Sequence, residues 1–173
     1  MTDQHALLVV AGTALLIVLL LMFGRQQAKF AVTIRAPARI VWEHWIVACG
    51  HNDWRPLADI ESVEQLSQAP MTIRVKAASK ALIDQPVETV WRYDIFEPYR
   101  RYEVKVVSGG SPAGESGQLT ESGGETRLEF SVSARWSGAA GTWFARKRVE
   151  RTLQALKSVC EAKASEGSEG MNA

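Results

Sequence analysis

The chain has 173 residues, of which 23% are charged, with 20 Lys and Arg side chains against 19 Asp and Glu. This balance excludes a basic nucleic-acid-binding arm, an acidic tail protein and an intrinsically disordered chain. The length is that of one domain. The composition is nevertheless divided, because residues 1–24 contain no Lys or Arg, whereas residues 25–173 have an ordinary soluble composition.

The N-terminal part contains a long apolar run. Residues 6–23 read ALLVVAGTALLIVLLLMF, in which 16 of 18 residues are apolar. As a helix this run covers about 27 Å, close to the roughly 30 Å hydrocarbon core of a bilayer. A cleaved signal peptide fits less well, because residues 1–5 lack a basic residue and no small-x-small site follows the run. We predict an extracytoplasmic tail (1–5), a transmembrane helix (6–23) and a linker (24–29).

The charges beside this run predict its orientation. Only Asp3 and His5 precede it, whereas four basic residues follow: Arg25, Lys29, Arg35 and Arg39. Because basic residues accumulate on the cytoplasmic side, we predict a single-pass protein, of a bacterial inner membrane, with a cytoplasmic domain.

The two cysteines agree with a reducing compartment. Cys49 and Cys160 are 111 positions apart and neither has a CxxC partner, which is typical of reduced thiols. His51 beside Cys49 does not complete a ligand set, so we predict no metal and no cofactor.

The soluble part begins with a strand and a helix. Residues 29–35 form a β-type run that stops at Pro37, and apolar residues at helical spacing predict a helix over 37–48, ended by Gly50. Residues 51–58 are a loop or a short second helix. Period-two alternation then predicts antiparallel strands with one face on the core. These strands cover residues 71–77, 87–95, 101–106, 117–122 and 127–136.

The pattern becomes helical after residue 141. Residues 142–161 predict an amphipathic helix of about 30 Å, long enough to cross a small sheet, and residues 164–173 predict a disordered tail. Strands that run together, with helices on one face, indicate an α+β fold.

Five local strings, in this order, resemble those of the SRPBCC superfamily, which includes polyketide cyclases/dehydrases, START domains and Bet v 1-like proteins. They are VTIRAPARIVWEHW (32–45), WRPLADIESVE (54–64), FEPYRRYEVKVV (96–107), GGETRLEFSVSARW (123–136) and TLQALKSVCE (152–161). The resemblance covers residues 30–163. It implies a helix-grip fold, in which a curved antiparallel sheet of six to seven strands wraps around a long C-terminal helix and encloses a hydrophobic cavity.

The residues expected to line such a cavity are the inward strand positions and the apolar stripe of the last helix. They are Ile73, Val75, Trp91, Tyr93, Ile95, Val104, Leu128, Phe130, Val132, Trp136, Val149, Leu153 and Leu156. Each could also fill a core without contacting a ligand. The aromatic members supply large rigid walls, and Tyr93 could orient a ligand through its hydroxyl.

No convincing catalytic constellation is present. His44, His51 and Asp53 are the residues that suggest acid–base chemistry, although each is explained by a surface or capping role. We also expect no Asp, Glu, Lys, Arg or His at the inward strand positions, which argues against an enzyme.

Four basic residues open the last helix: Arg146, Lys147, Arg148 and Arg151. They could form a solvated helix face. Because cations are unfavourable at a helix N-terminus, and because the domain would be tethered close to the bilayer, we predict contact with anionic headgroups.

Three functions remain open at this point. The first is a membrane-anchored binding protein for a small hydrophobic ligand, such as a lipid, a quinone or a polyketide-like molecule. The second is a cyclase or dehydratase, which needs Tyr93, His44 or His51 in the cavity. The third is a docking module at the membrane, which a cavity-free core would favour. No nucleic-acid partner is expected.

Overall fold

The computed structural model describes residues 13, 25–52, 54–56, 58–79, 83–110, 113–135 and 138–169. Of the predicted transmembrane helix it describes only Thr13, so this helix and the tail before it lie outside the described residues. Within the described part of the chain, no helix is long and apolar enough to cross a membrane.

Among the described residues, seven strands and two α-helices form the domain. The strands are β1 (Arg25–Ile34), β2 (Ala58–Gln68), β3 (Met71–Ser79), β4 (Ile83–Glu97), β5 (Arg101–Ser108), β6 (Gly114–Ser122) and β7 (Glu125–Arg135). The helices are α1 (Ala38–Trp45) and α2 (Gly138–Glu169), with a 3-10 turn at Val47–Cys49. The predicted α+β class, with its strand run and closing helix, is therefore confirmed.

All seven strands belong to one antiparallel sheet in the order β1-β7-β6-β5-β4-β3-β2. Because neighbouring strands run in opposite directions, β1 and β6 begin at the end of the sheet where β5 and β7 finish. We call this the near end. The far end carries the β4–β5 and β6–β7 turns and the start of α1.

One face of the sheet is covered by the helices. Ile34, Ile73, Leu128 and Trp42 of α1 are among the most deeply buried side chains. Within each strand the buried residues alternate, as Ile73 and Val75 do in β3 and Leu128 and Phe130 do in β7, which is why period-two alternation in the sequence identifies them. The main core therefore lies between this inner face and the two helices.

Helix α2 runs along β1 from the near end to the far end. Lys157 donates a hydrogen bond to the Thr33 carbonyl oxygen (3.0 Å), and Glu161 accepts one from the Arg35 backbone N–H (3.0 Å), so these turns lie at the far end. Leu153, Leu156 and Cys160 of α2 are buried.

Several boundaries differ from the prediction. Strand β1 begins at Arg25, so residues 25–29 are part of the sheet rather than a linker, paired with β7 from Arg135 onward. Helix α1 ends at Trp45 because Ile46 is extended. Helix α2 continues to Glu169, which leaves only residues 170–173 of the predicted tail outside the described residues.

Candidate functional site

A small cavity of about 30 Å³ lies between the inner face of the sheet and the end of α1. It is lined by Trp45, Ile46, Val47, Arg55, Trp91, Tyr93, Tyr102, Val104 and Glu115. Three of these side chains, those of Tyr93, Tyr102 and Glu115, carry groups that can bind or release a proton, and Arg55 adds a positive charge. The cavity has the volume of about one water molecule, so it could hold a single polar group of a ligand.

A chain of hydrogen bonds crosses this cavity. The Trp45 indole N–H donates to the Tyr102 hydroxyl oxygen (2.6 Å), and the Tyr102 O–H donates to Glu115 Oε1. Tyr102 is buried by Trp42, whose ring meets it edge-on at 6.1 Å. Strand β5 thus presents a phenol and strand β6 a carboxyl, and the hydrogen bonds fix the orientation of both.

Arg55 closes the cavity from the loop before β2. Its Nη2 donates to the Trp45 carbonyl oxygen, and its Nε donates to Asn52 Oδ1 (3.2 Å). The guanidinium also lies over the rings of Trp45 (5.6 Å) and Trp54 (5.0 Å). Because aromatic faces attract cations, the two tryptophans help the loop to hold a positive charge beside the cavity.

Burial dominates the protonation of the cavity groups. It raises the pKa of Glu115, against the hydrogen bond from Tyr102 and the charge of Arg55. Burial also raises the pKa of Tyr93 and Tyr102, and the negative charge of Glu115 adds to both shifts. The site therefore offers neutral phenols and a carboxyl that holds its proton more tightly than an exposed glutamate.

An apolar groove of about 100 Å³ continues from the cavity toward the near end. It is lined by Trp91, Val104, Val106, Ala113, Gly114, Glu115 and Val132. Trp91 is held by a hydrogen bond from its indole N–H to Thr89 Oγ1 (2.8 Å). None of the α2 residues whose side chains the structure describes lines this groove, and Trp91, Val106 and Val132 are only half-buried. Cavity and groove share Trp91, Val104 and Glu115 as walls, so the two spaces adjoin and are treated as one site.

Twelve of the thirteen predicted cavity residues fall into three groups. Trp91, Tyr93, Val104 and Val132 line the cavity or the groove. The second group packs in the core away from both spaces: Ile73, Val75, Leu128, Phe130, Val149, Leu153 and Leu156. The last, Trp136, lies outside the described residues. Whether any of them binds a ligand stays a prediction.

Ile95 does not face inward as predicted. The β4–β5 register shifts between Tyr93 and Ile95, so that Tyr93 is opposite Val104 whereas Ile95 is opposite Glu103. A β-bulge reverses the alternation at this point, which a strict period of two does not anticipate. Phe96 takes the inward position, and its ring meets that of Trp42 at 5.4 Å.

The expectation of uncharged inward strand positions is wrong at Glu115. Strand β6 begins at Gly114, earlier than the predicted residue 117, and Glu115 shares the parity of Gly117 and Leu119. Counting back in twos from Leu119 would have identified it. Arg55, in contrast, leaves no signal in the sequence, because a loop residue has no periodicity.

The predicted acid–base candidates divide likewise. Tyr93 lies in the cavity, whereas His44 and His51 stack on each other with ring centroids 5.0 Å apart and line neither the cavity nor the groove. Asp53 lies outside the described residues. Among the described residues, no cluster of His, Cys, Asp and Glu could hold a metal ion.

A larger, open concavity of about 660 Å³ lies against strands β1, β7, β6 and β5. It is lined by Lys29, Phe30, Ala31, Ile95, Arg101, Tyr102, Glu103, Ser116, Gly117, Gln118, Glu129, Phe130 and Ser131. Its charges are of both signs and it is broadly open to solvent. The inner site is the better candidate, because it combines an apolar wall with convergent polar groups.

Comparison with known proteins identifies the fold. No protein-family model matches the chain, and no curated protein matches it. Solved structures do match over most of their length. A protein from Chromobacterium violaceum has a TM-score of 0.62 at 13% identity and covers 79% of this chain and 98% of its own. Ara h 8.0201 has a TM-score of 0.61 at 12% identity, over 80% of this chain and 99% of its own. A protein from Bacillus thuringiensis has a TM-score of 0.58 at 16% identity, over 78% and 98%.

This is the Bet v 1-like helix-grip fold. Its two main parts, a seven-stranded antiparallel sheet and a long C-terminal helix, are both present in this chain. At these identities the likeness concerns architecture alone, since one fold serves many activities. In this Bet v 1-like chain, the arguments about function therefore rest on the cavity and the groove.

Proposed function

We propose that this chain is a membrane-anchored protein that binds a small hydrophobic molecule in the inner groove, with the polar end of the ligand at Glu115 and Arg55. The observation that carries the proposal is that the apolar groove adjoins the polar cavity, with Trp91, Val104 and Glu115 in the walls of both. A lipid, a quinone or a polyketide-like molecule has this combination of an apolar body and one polar end.

The position of the groove fits a ligand that comes from a bilayer. Ala113, Gly114 and Val132 place the groove toward the near end of the sheet. Strand β1 begins at the same end with Arg25, two residues after the apolar run of residues 6–23. If that run is the anchor, the groove lies at the end of the domain nearest the membrane, on its cytoplasmic side.

The size of the site indicates how a ligand would be accommodated. Pockets for drug-sized ligands are typically about 300–1,000 Å³, larger than the cavity and groove together. Because Trp91, Val106 and Val132 of the groove are only half-buried, a larger ligand would extend past these side chains, with only its polar end enclosed in the cavity.

A pair of adjacent valines tests this proposal. Val106 lines the groove, whereas its neighbour Val107 is 48% exposed. Val106→Trp should fill the groove and lower ligand occupancy at least about tenfold, because the added ring takes the volume that the ligand needs. Val107→Trp should leave occupancy unchanged.

Native mass spectrometry of the full chain, released from nanodiscs prepared from its host membrane, measures occupancy directly, and organic extraction identifies the molecule. Equal occupancy in the two variants would place the ligand elsewhere. An empty wild-type protein, with no thermal shift from lipids or quinones, would overturn the binding function in favour of a docking module.

A second candidate function is a dehydratase or cyclase. It is favoured by Tyr93 and Glu115 in the cavity, since a carboxyl with a raised pKa can act as a general acid. Glu115→Gln removes the exchangeable proton and keeps the shape. If the variant carries a ligand heavier by one water than that of the wild type, the protein catalyses a dehydration. Identical ligands in both would exclude that chemistry at Glu115.

A further inference from the structure

The exposed face of the first half of α2 combines two aromatic and several basic side chains. Trp143 is 56% exposed and Phe144 is 65% exposed, and their rings contact each other edge-on at 4.9 Å. Lys147 and Arg151 follow Trp143 at steps of four residues, which places the three on one stripe of the helix. We call Trp143, Phe144, Lys147, Arg148 and Arg151 the aromatic–basic patch.

This patch faces away from the core. Val149, Leu153 and Leu156 form the stripe that packs on the domain, and at 100° per residue the patch lies on the opposite side of the helix. Two large apolar side chains in water, beside cations, are unfavourable for an isolated soluble domain. They indicate a surface that is covered in use.

The patch also lies at the near end. Glu161 is fixed beside Arg35 at the far end, and Trp143 precedes it by 18 residues, or about 27 Å of helix. Strand β1 runs in the same direction as α2, and the chain from Arg35 back to Arg25 covers a similar length. The first turns of α2, the start of β1 and the groove therefore share one end of the domain.

We propose that the aromatic–basic patch docks on the surface of an anionic bilayer and brings the near end of the sheet against it. Tryptophan is enriched at the level of the headgroups, and cations are attracted to anionic lipids. Lys147 forms an ion pair with Glu150 at 2.9 Å, and both side chains are half-exposed. Exposed ion pairs contribute little to stability, so Lys147 can exchange Glu150 for a lipid phosphate. The docking needs no ligand in the groove, although it rests on the same placement of the near end as the proposed function.

The test uses the full chain in nanodiscs of brominated phosphatidylcholine, with or without phosphatidylserine. The difference in emission between the wild type and Trp143→Leu isolates Trp143. We expect bromine to quench this emission in anionic discs, and high salt to reverse most of the quenching. The triple reversal Lys147→Glu/Arg148→Glu/Arg151→Glu should lower the docked-to-undocked ratio at least about tenfold, since each cation near an anionic surface changes binding roughly fivefold.

A matched control reverses three exposed basic residues of the far end, Arg100→Glu/Arg101→Glu/Arg127→Glu, with the same change in net charge. This control should leave the quenching unchanged. Absence of quenching in anionic discs, or equal loss in both triple variants, would overturn the proposal. If the chain proves soluble, the same emission is measured after the chain is added to the discs, and docking then appears as binding itself. Ligand occupancy measured on the same discs separates a failure of docking from a failure of ligand binding.

Discussion

Gly117→Ala is expected to lower the free energy of unfolding by about 3 kcal/mol, the upper end for overpacking in a core. A Cβ atom at this position would lie 2.4 Å from Cε1 and 2.9 Å from the hydroxyl oxygen of Tyr102. The ring cannot move away easily, because Tyr102 is bonded to Trp45 and Glu115 and is buried against Trp42. Glycine is therefore required in the middle of β6 for the close approach of a neighbouring side chain.

The measurement is denaturant unfolding of the full chain in a mild detergent. Gly167→Ala is the control, because no atom lies within 4 Å of a Cβ added at Gly167, and it should cost nothing. In a double-mutant cycle, Tyr102→Leu should remove most of the penalty of Gly117→Ala, because the smaller side chain leaves room for the methyl group. Additive effects of the two substitutions would show that the contact with Tyr102 is not the cause.

The arrangement of the fold could be predicted because it follows from periodicity. Alternation in residues 71–77 and 127–136 predicts strands, and helical spacing after residue 141 predicts α2, because burial on one face imposes these periods. Strand β2 has no such signal. Most of its side chains are exposed at the edge of the sheet, and only the resemblance of residues 54–64 to a known family indicated it.

The site could be predicted only in part. Trp91, Tyr93 and Val104 follow from alternation, whereas Ile95 does not, since a bulge depends on the pairing of two strands. The inward position of Glu115 could have been predicted from the alternation in β6, but the expectation of an apolar interior argued against a charged residue there. Arg55 reaches the cavity through a loop that Asn52 and Trp54 organise, and such a placement depends on tertiary contacts that a local pattern does not contain.

Arg55→Met is the second substitution with a large expected effect, a loss of about 3 kcal/mol of stability at about pH 8. Methionine keeps much of the apolar volume between Trp45 and Trp54. The substitution removes a positive charge that lowers the pKa of Glu115 and so partly offsets the effect of burial on this carboxyl. Loss of one charge from a buried cluster costs several kcal/mol, because the other charge is left uncompensated. The hydrogen bonds to the Trp45 carbonyl and to Asn52 are lost at every pH.

The dependence on pH separates these two contributions. Burial raises the pKa of Glu115 above its ordinary value of 4.5, so the folded state binds this proton more tightly than the unfolded state. The resulting stabilisation is complete below the ordinary pKa and is lost as the pH rises through the folded pKa. Without Arg55 the pKa of Glu115 in the folded state rises further, so the pH range over which stability falls extends upward. The loss of stability caused by Arg55→Met should therefore be larger at about pH 8 than at about pH 5.

Glu115→Gln in the Arg55→Met background decides whether Glu115 is the responsible group. The amide keeps the shape of the side chain and cannot ionise, so the double variant should regain stability at about pH 8 and show a flatter pH profile than Arg55→Met. Arg92→Met is the matched control, because Arg92 is an exposed arginine whose partner, Asp94, is also bonded by Lys105, and it should change stability by less than about 0.5 kcal/mol. A loss in Arg55→Met that is the same at both pH values would assign the role of Arg55 to its hydrogen bonds. The carboxyl of Glu115 would then be free of its influence, and a charged ligand head could not be recognised by the two residues together.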